Sequence, residues 1–249
     1  MIKKYKQYVI EKFDHSTIDP YGEEDWGDDD LSPILQIAKK QGVPYDQITI
    51  LDCGNNQLTS LEGIENLVNL QLLYCYSNQL TSLEGIENLV NLQYLYCHNN
   101  KLDSLEGIEN LVNLQQLYCS SNQLTSLEGI ENLVNLRQLN CSYNQLTSLE
   151  GIENLVNLQI FSCHNNQLTS LDGIENLVNL QILGCSNNRL NSLEFGDFSL
   201  DAFELGIDET DLRRFKKLNF LSCIGNQFSN KYIKYIREYC KRKNITSNI

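Results

Sequence analysis

The sequence predicts an α/β solenoid: a right-handed arc of stacked coils, with a parallel β-sheet on the concave face, short 3₁₀-like helices on the convex side and a helical cap at each end. Three observations carry this expectation. Cys53, Cys75, Cys97, Cys119, Cys141, Cys163 and Cys185 are each 22 residues apart, and a fixed period of that length marks a repeat architecture. The string Leu-Glu-Gly-Ile-Glu-Asn-Leu-Val-Asn begins at Leu61, Leu83, Leu105, Leu127 and Leu149, and again at Leu171 with Asp172 in place of Glu. Such near-identity points to recent internal duplication. Within each unit, finally, the apolar spacing changes from two residues to three.

The unit from Leu70 to Asn91 shows how the change works. Leu73 and Cys75 alternate with Leu72, Tyr74 and Tyr76, the pattern of a short strand that buries the first pair and exposes the other three. Leu83, Ile86, Leu89 and Leu92 follow at intervals of three, the period of a 3₁₀ helix and not of an α-helix. Asn78 stands where the chain leaves the strand. A buried amide at that point satisfies backbone groups of neighbouring coils, and the equivalent Asn56, Asn100, Asn122, Asn144, Asn166, Asn188 and Asn226 predict a ladder. A single coil cannot bury its apolar side, so coils stack and their strands form one sheet.

These residues, in the pattern L-x-x-L-x-C-x-x-N-x-L, resemble the leucine-rich-repeat family, in its 22-residue class with bacterial internalins and phosphatase-regulating repeat proteins. The cysteine in every strand, with nearly invariant flanks, is also similar to repeat proteins of large DNA viruses of amoebae. The resemblance implies binding without naming a partner, and it transfers no functional residue.

The expected organisation is an N-terminal acidic segment and helical cap over residues 1–47, repeats over 48–228 and a capping helix over 229–249. About nine coils are expected. The period breaks after Asn188, and the stretch before Leu218 fits either a degenerate coil at 200–217, with Leu200, Phe203, Leu205 and Asp208 at repeat positions, or an irregular insertion with a helix near Asp211 to Lys217. Ser32 and Pro33 open a helix through Ile34, Leu35 and Ala38 that stops at Gly42. Ser229 or Asn230 caps a second one, where Tyr232, Ile233, Ile236, Tyr239 and Cys240 share a face and Lys241, Arg242 and Lys243 favour the C-terminal dipole. The cluster Glu23, Glu24, Asp25, Asp28, Asp29 and Asp30 lacks the alternation and distal Glu of a calcium loop and reads as a solvated acidic loop around Trp26.

Composition narrows the function. The net charge of −13 disfavours nucleic acid, which needs clustered Lys and Arg. No run approaches a membrane span, and the Lys-rich start leads into no secretory core, so a cytoplasmic protein is expected, in the host cytoplasm if the source is viral. The cysteine count is odd and its spacing belongs to the repeat, which predicts reduced thiols. Side chains projecting in parallel from adjacent strands do not converge on a zinc ion and meet disulfide geometry poorly. His98 and His164 follow Cys97 and Cys163 directly, so alternation turns each pair apart. No catalytic motif is present; an enzyme, a cofactor and a small-molecule substrate are not expected.

Two surfaces remain. Glu62, Glu84, Glu106, Glu128, Glu150 and Asp172 form one acidic ladder, and Glu65, Glu87, Glu109, Glu131, Glu153 and Glu175 a second. Duplication accounts for both; the alternative is a cation-dependent surface or structural protein. The other surface is the concave face, where variation between repeats concentrates. Its outward strand positions carry one charge, Asp52, and gather Tyr74, Tyr76, Tyr94, Tyr96, His98 and Tyr118 on adjacent strands. A neutral, aromatic-rich strip on an acidic chain is the composition of a protein-binding centre, although tyrosine also favours strands for packing alone. The expected function is a non-enzymatic protein-interaction scaffold, with regulation of a bound enzyme as one use.

Overall fold

The computed structural model describes residues 31–193 and 217–249. Over these residues the chain forms one open, parallel sheet of nine strands in sequence order. The strands are β1 (Ile50–Asp52), β2 (Leu72–Tyr74), β3 (Tyr94–Tyr96), β4 (Gln116–Tyr118), β5 (Gln138–Asn140), β6 (Ile160–Ser162), β7 (Ile182–Gly184), β8 (Phe220–Ser222) and β9 (Thr246–Asn248). Equivalent residues pair, as in Leu72↔Tyr94 and Tyr74↔Tyr96, so each row of side chains runs straight across the sheet. The central residue of each strand from β1 to β8 is buried, and so is the cysteine two residues later.

Behind the sheet the chain turns sharply at a glycine in the left-handed region, such as Gly85 at φ 99°. A Cβ there would also lie 2.8 Å from Ile64 of the preceding coil, so the position admits no side chain without displacement. One turn of 3₁₀ helix follows at Ile64–Asn66, Ile86–Asn88, Ile130–Asn132, Ile152–Asn154 and Ile174–Asn176. At residues 108–110 the helix is reduced to a turn, although Leu111 N still donates to the Ile108 carbonyl at 2.9 Å. The isoleucines and the leucines three residues on either side of them fill the space between the turns and the sheet.

The asparagine ladder satisfies the backbone on both sides of each joint. Asn78 Nδ2 donates to the carbonyls of Cys53 at 2.9 Å and Cys75 at 3.0 Å. Its Oδ1 accepts from Asn56 N at 3.0 Å and Leu58 N at 2.9 Å. The pattern repeats down to Asn226, which reaches back to Cys185. Asn56, in the first coil, bonds instead to Gly54 of its own coil.

Helix α1 (Pro33–Lys39) precedes the first coil, with Ser32 capping Leu35 N and a proline in the first turn. Its Ile34 and Ala38 are buried in the common core. Helix α2 (Asn230–Lys243) begins at Ser229, whose hydroxyl accepts from Tyr232 N, and buries Tyr232, Ile236 and Cys240. Ile233, expected on the same face, is only partly buried. The chain then turns at Asn244, φ 55°, and returns as β9 beside β8. This last strand was not expected: Thr246, Ser247 and Asn248 are all exposed, and no apolar alternation marks them.

The expected degenerate coil at 200–217 lies, apart from Lys217, outside the described residues, as does the acidic cluster at 23–30. β7 pairs directly with β8, Ile182 opposite Phe220. Eight strands therefore belong to repeat-type coils, and the ninth is the terminal β9.

Candidate functional site

The six aromatic residues expected on the concave face all lie there, each partly buried. Tyr74, Tyr96 and Tyr118 occupy one row across β2, β3 and β4. Their rings stack face to face, with centroids 4.8 Å apart between Tyr74 and Tyr96 and 4.9 Å between Tyr96 and Tyr118. Those spacings match the roughly 4.8 Å between strands, so the register of the sheet sets the stack. Tyr76 and His98 form a second stack at 5.0 Å with rings nearly parallel. Tyr74 joins the two stacks edge-on to Tyr76 at 6.2 Å. Tyr94 lies in the neighbouring row, between Leu72 and Gln116.

Two hydroxyls are fixed. Tyr96 OH donates to Gln116 Oε1 and Tyr118 OH to Gln138 Oε1, each at 2.8 Å. Burial and the neighbouring tyrosines push the Tyr96 hydroxyl above its ordinary pKa. Burial lowers that of His98, so its ring is neutral at physiological pH. His98 Nδ1 is buried with no hydrogen-bond partner among the described residues. His164 sits apart: its Nδ1 accepts from Ser186 N at 3.1 Å, and its ring covers Gly184, where a Cβ would collide with it. The surface is thus ordered and uncharged, with ring edges directed outward because ring faces are spent on one another.

The thiols make a separate, inaccessible column. All nine cysteines are free and buried. Burial raises the pKa of Cys97 and Cys141 to about 12. A thiol held protonated is neither a nucleophile nor a metal ligand, and among the described residues no three His, Cys, Asp or Glu side chains are grouped to hold a metal ion.

The second acidic ladder has a use that sequence reasoning missed. Glu87 Oε2 accepts from Gly85 N at 2.8 Å, and Glu65, Glu109, Glu131, Glu153 and Glu175 do the same for the glycine two residues earlier. The carboxylate closes the left-handed turn. The invariant Gly-Ile-Glu spacing carried that signal, because a glutamate two residues on can fold back to the glycine amide.

Two exposed residues were also passed over. Arg137 precedes β5 and lines a groove of about 750 Å³ along the rim where the strands begin, otherwise walled by Asn and Gln such as Gln115, Asn135 and Gln159. Tyr143 follows β5 on the other rim, at φ 57° and 59% exposed.

The repeats match the family model described as "Leucine Rich repeats (2 copies)" at residues 46–87, 68–110, 112–154 and 156–198, more than half of the chain. The chain belongs to the leucine-rich-repeat family. Among solved leucine-rich-repeat structures it is similar to internalin C2 of Listeria monocytogenes, with 29% identity and a TM-score of 0.64 over 75% of each chain. It is similar also to a leucine-rich-repeat protein of Leptospira interrogans, with 28% identity and a TM-score of 0.60 over 80% of this chain and 54% of that one. A third is the functional domain of InlJ from Listeria monocytogenes, described as including a cysteine ladder, with 26% identity and a TM-score of 0.53 over 73% of this chain and 40% of that one. No curated protein matches. Leucine-rich repeats commonly mediate protein–protein interaction and are typically non-enzymatic. Among the described residues, no helix is long and apolar enough to cross a membrane.

Proposed function

We propose that this leucine-rich-repeat chain is a non-enzymatic scaffold that binds a protein through its concave face, centred on Tyr74, Tyr76, Tyr94, Tyr96, His98 and Tyr118. The observation that carries the reading is the pair of ring stacks, held by the sheet register and by two tyrosine hydroxyl bonds. A surface already ordered loses little side-chain entropy on binding, and neutral aromatic groups lose little by leaving water. Nucleic acid, a membrane and a small-molecule substrate are not proposed as partners. An intracellular location is part of the proposal. Regulation of a bound enzyme remains one use of such a scaffold.

The cation-dependent alternative has weaker support, because the Glu65 ladder is already engaged with glycine amides. Replacing Tyr74, Tyr96 and Tyr118 together by Ser tests the leading reading. Lost ring contacts cost about 1–2 kcal/mol of stability, whereas aromatic anchors at an interface centre commonly contribute about 2 kcal/mol or more each to binding. Affinity capture from the native cell should therefore lose the wild-type partners while the variant still melts as a folded protein. Capture of the same partners at unchanged affinity removes the rings from the binding surface.

A further inference from the structure

The coil around β5 departs from its neighbours at both ends of the strand. Before the strand, Arg137 stands where other coils have Gln71, Gln93, Gln115, Gln159 and Gln181. It is exposed, and it is the one charge among the described residues lining the amide groove on that rim. After the strand, Tyr143 stands where other coils have Asn55, Ser77, Asn99, Ser121, Asn165 and Asn187, and like them it holds a positive φ. Asparagine visits that region readily, but a bulky ring there is a steric outlier. Its exposure means that packing within the chain does little to offset the strain. Between the two, Ser142 is only 4% exposed, and its Oγ has no hydrogen-bond partner among the described residues. The equivalent Ser186 hydroxyl, by contrast, is bonded to Ser222 at 2.8 Å.

We propose that this coil sets the specificity of the concave surface: Arg137 and Tyr143 grip, from opposite rims, an extended peptide segment of the partner laid along β5. A carboxylate of the segment meets the guanidinium, and an apolar side chain meets the ring. The inference rests on the concave face being the partner surface and names what that surface selects. A guanidinium presents paired donors that fit a carboxylate. On a chain of net charge −13 whose concave strip is neutral apart from Asp52, Arg137 gives an acidic partner group a favourable seat beside β5, while Lys217 is bonded to Asn179 and Lys101 and Arg189 belong to other coils. Strand residues rise about 3.3 Å each, so the reach from Arg137 to Tyr143 is at most about 20 Å, the length of about six extended residues. Gln138, which accepts the Tyr118 hydroxyl, makes the ring stack continuous with this coil.

The test uses the full chain on two arrays of random peptides of about ten residues, one with free C-termini and one amidated. Bound peptides should share an apolar residue about five or six positions from an acidic group. If the acid is a side chain, both arrays bind; if it is the chain end, only the free array does. Arg137→Gln and Tyr143→Asn each restore what the neighbouring coils carry, so both variants should fold. Each should weaken a bound peptide about tenfold or more, and Tyr143→Asn should raise the melting temperature as the strained ring is removed. Bound peptides without an acidic group, or affinities unchanged in both variants, overturn the proposal. If the triple Tyr→Ser variant loses the peptides while these two keep them, the concave surface stands and the role of this coil falls. Unchanged binding by all three variants ends both readings. An array that binds nothing counts against the coil and leaves the concave surface to the capture experiment.

Discussion

Asn144 bonds the backbone on both sides of a joint. Its Nδ2 donates to the Cys119 and Cys141 carbonyls at 3.1 and 3.0 Å, and its Oδ1 accepts from Leu124 N at 3.0 Å. Leucine fills similar space but leaves Leu124 N buried and unbonded, at about 1–3 kcal/mol, and takes one of two bonds from the Cys119 and Cys141 carbonyls, which Asn122 and Asn166 still reach. Asn144→Leu should therefore lower the unfolding free energy by about 1–3 kcal/mol, read as an earlier midpoint in urea. The thiols predict a pH dependence. Cys97 and Cys141 move from the ordinary 9.0 to about 12 in the folded chain. Between these values the unfolded chain has released protons that the folded chain keeps, so stability is full below pH 9 and falls as pH rises toward 12. Melting curves from pH 8 to pH 11 should show that fall, and a Cys97→Ala, Cys141→Ala variant should show less of it. The phase of Cys and Asn was legible because strand alternation decides which way a side chain points. The row of Tyr74, Tyr96 and Tyr118 was legible too, but the hydroxyl bonds to Gln116 and Gln138 were not, since they depend on side-chain rotations that adjacent rows settle together. Tyr143 was overlooked because the positive φ that every coil adopts at this position, which makes a bulky ring unusual there, does not show in the residue pattern.

At the scale of elements, α1 was readable from Ser32 and Pro33, which supply the cap and the fixed φ that a helix start needs. The same holds for α2, but β9 escaped notice because a strand bonded through its backbone alone leaves no periodic trace in its side chains. The two last elements have separable roles. α2 covers the end of the core with Tyr232, Ile236 and Cys240, and the Tyr232 hydroxyl accepts from Leu193 N. β9 lengthens the sheet, and its Ser247 bonds Cys240 of the helix. Removing residues 244–249 should lower the melting temperature modestly, whereas removing 229–249 should expose the last coil and cause aggregation or early melting. A truncation to residue 228 that stays monomeric with an unchanged midpoint would show that the helix is not a cap.

Taken as a whole, the molecule is a chain of near-neighbour contacts, since every strand from β2 to β8 pairs with the one before and the one after it. Stability in such an array is close to a sum over units and their joints. Deleting residues 113–134, one full period, should leave a folded protein with a slightly lower urea midpoint and a smaller dependence on urea, because less surface is exposed on unfolding. Deleting 113–123, half a period, puts apolar positions on the wrong face and should abolish the cooperative transition. The 22-residue period made this architecture legible, and the same period hides a difficulty. Near-identical coils can dock one unit out of place during folding with little local error, as beads on a string can be miscounted. Phe161 interrupts that sameness: fully buried, it faces Leu139 on one side and Leu183 on the other. A chain that slips by one coil must force its ring into a leucine-sized slot, so this one residue works as an index mark by which the array keeps count.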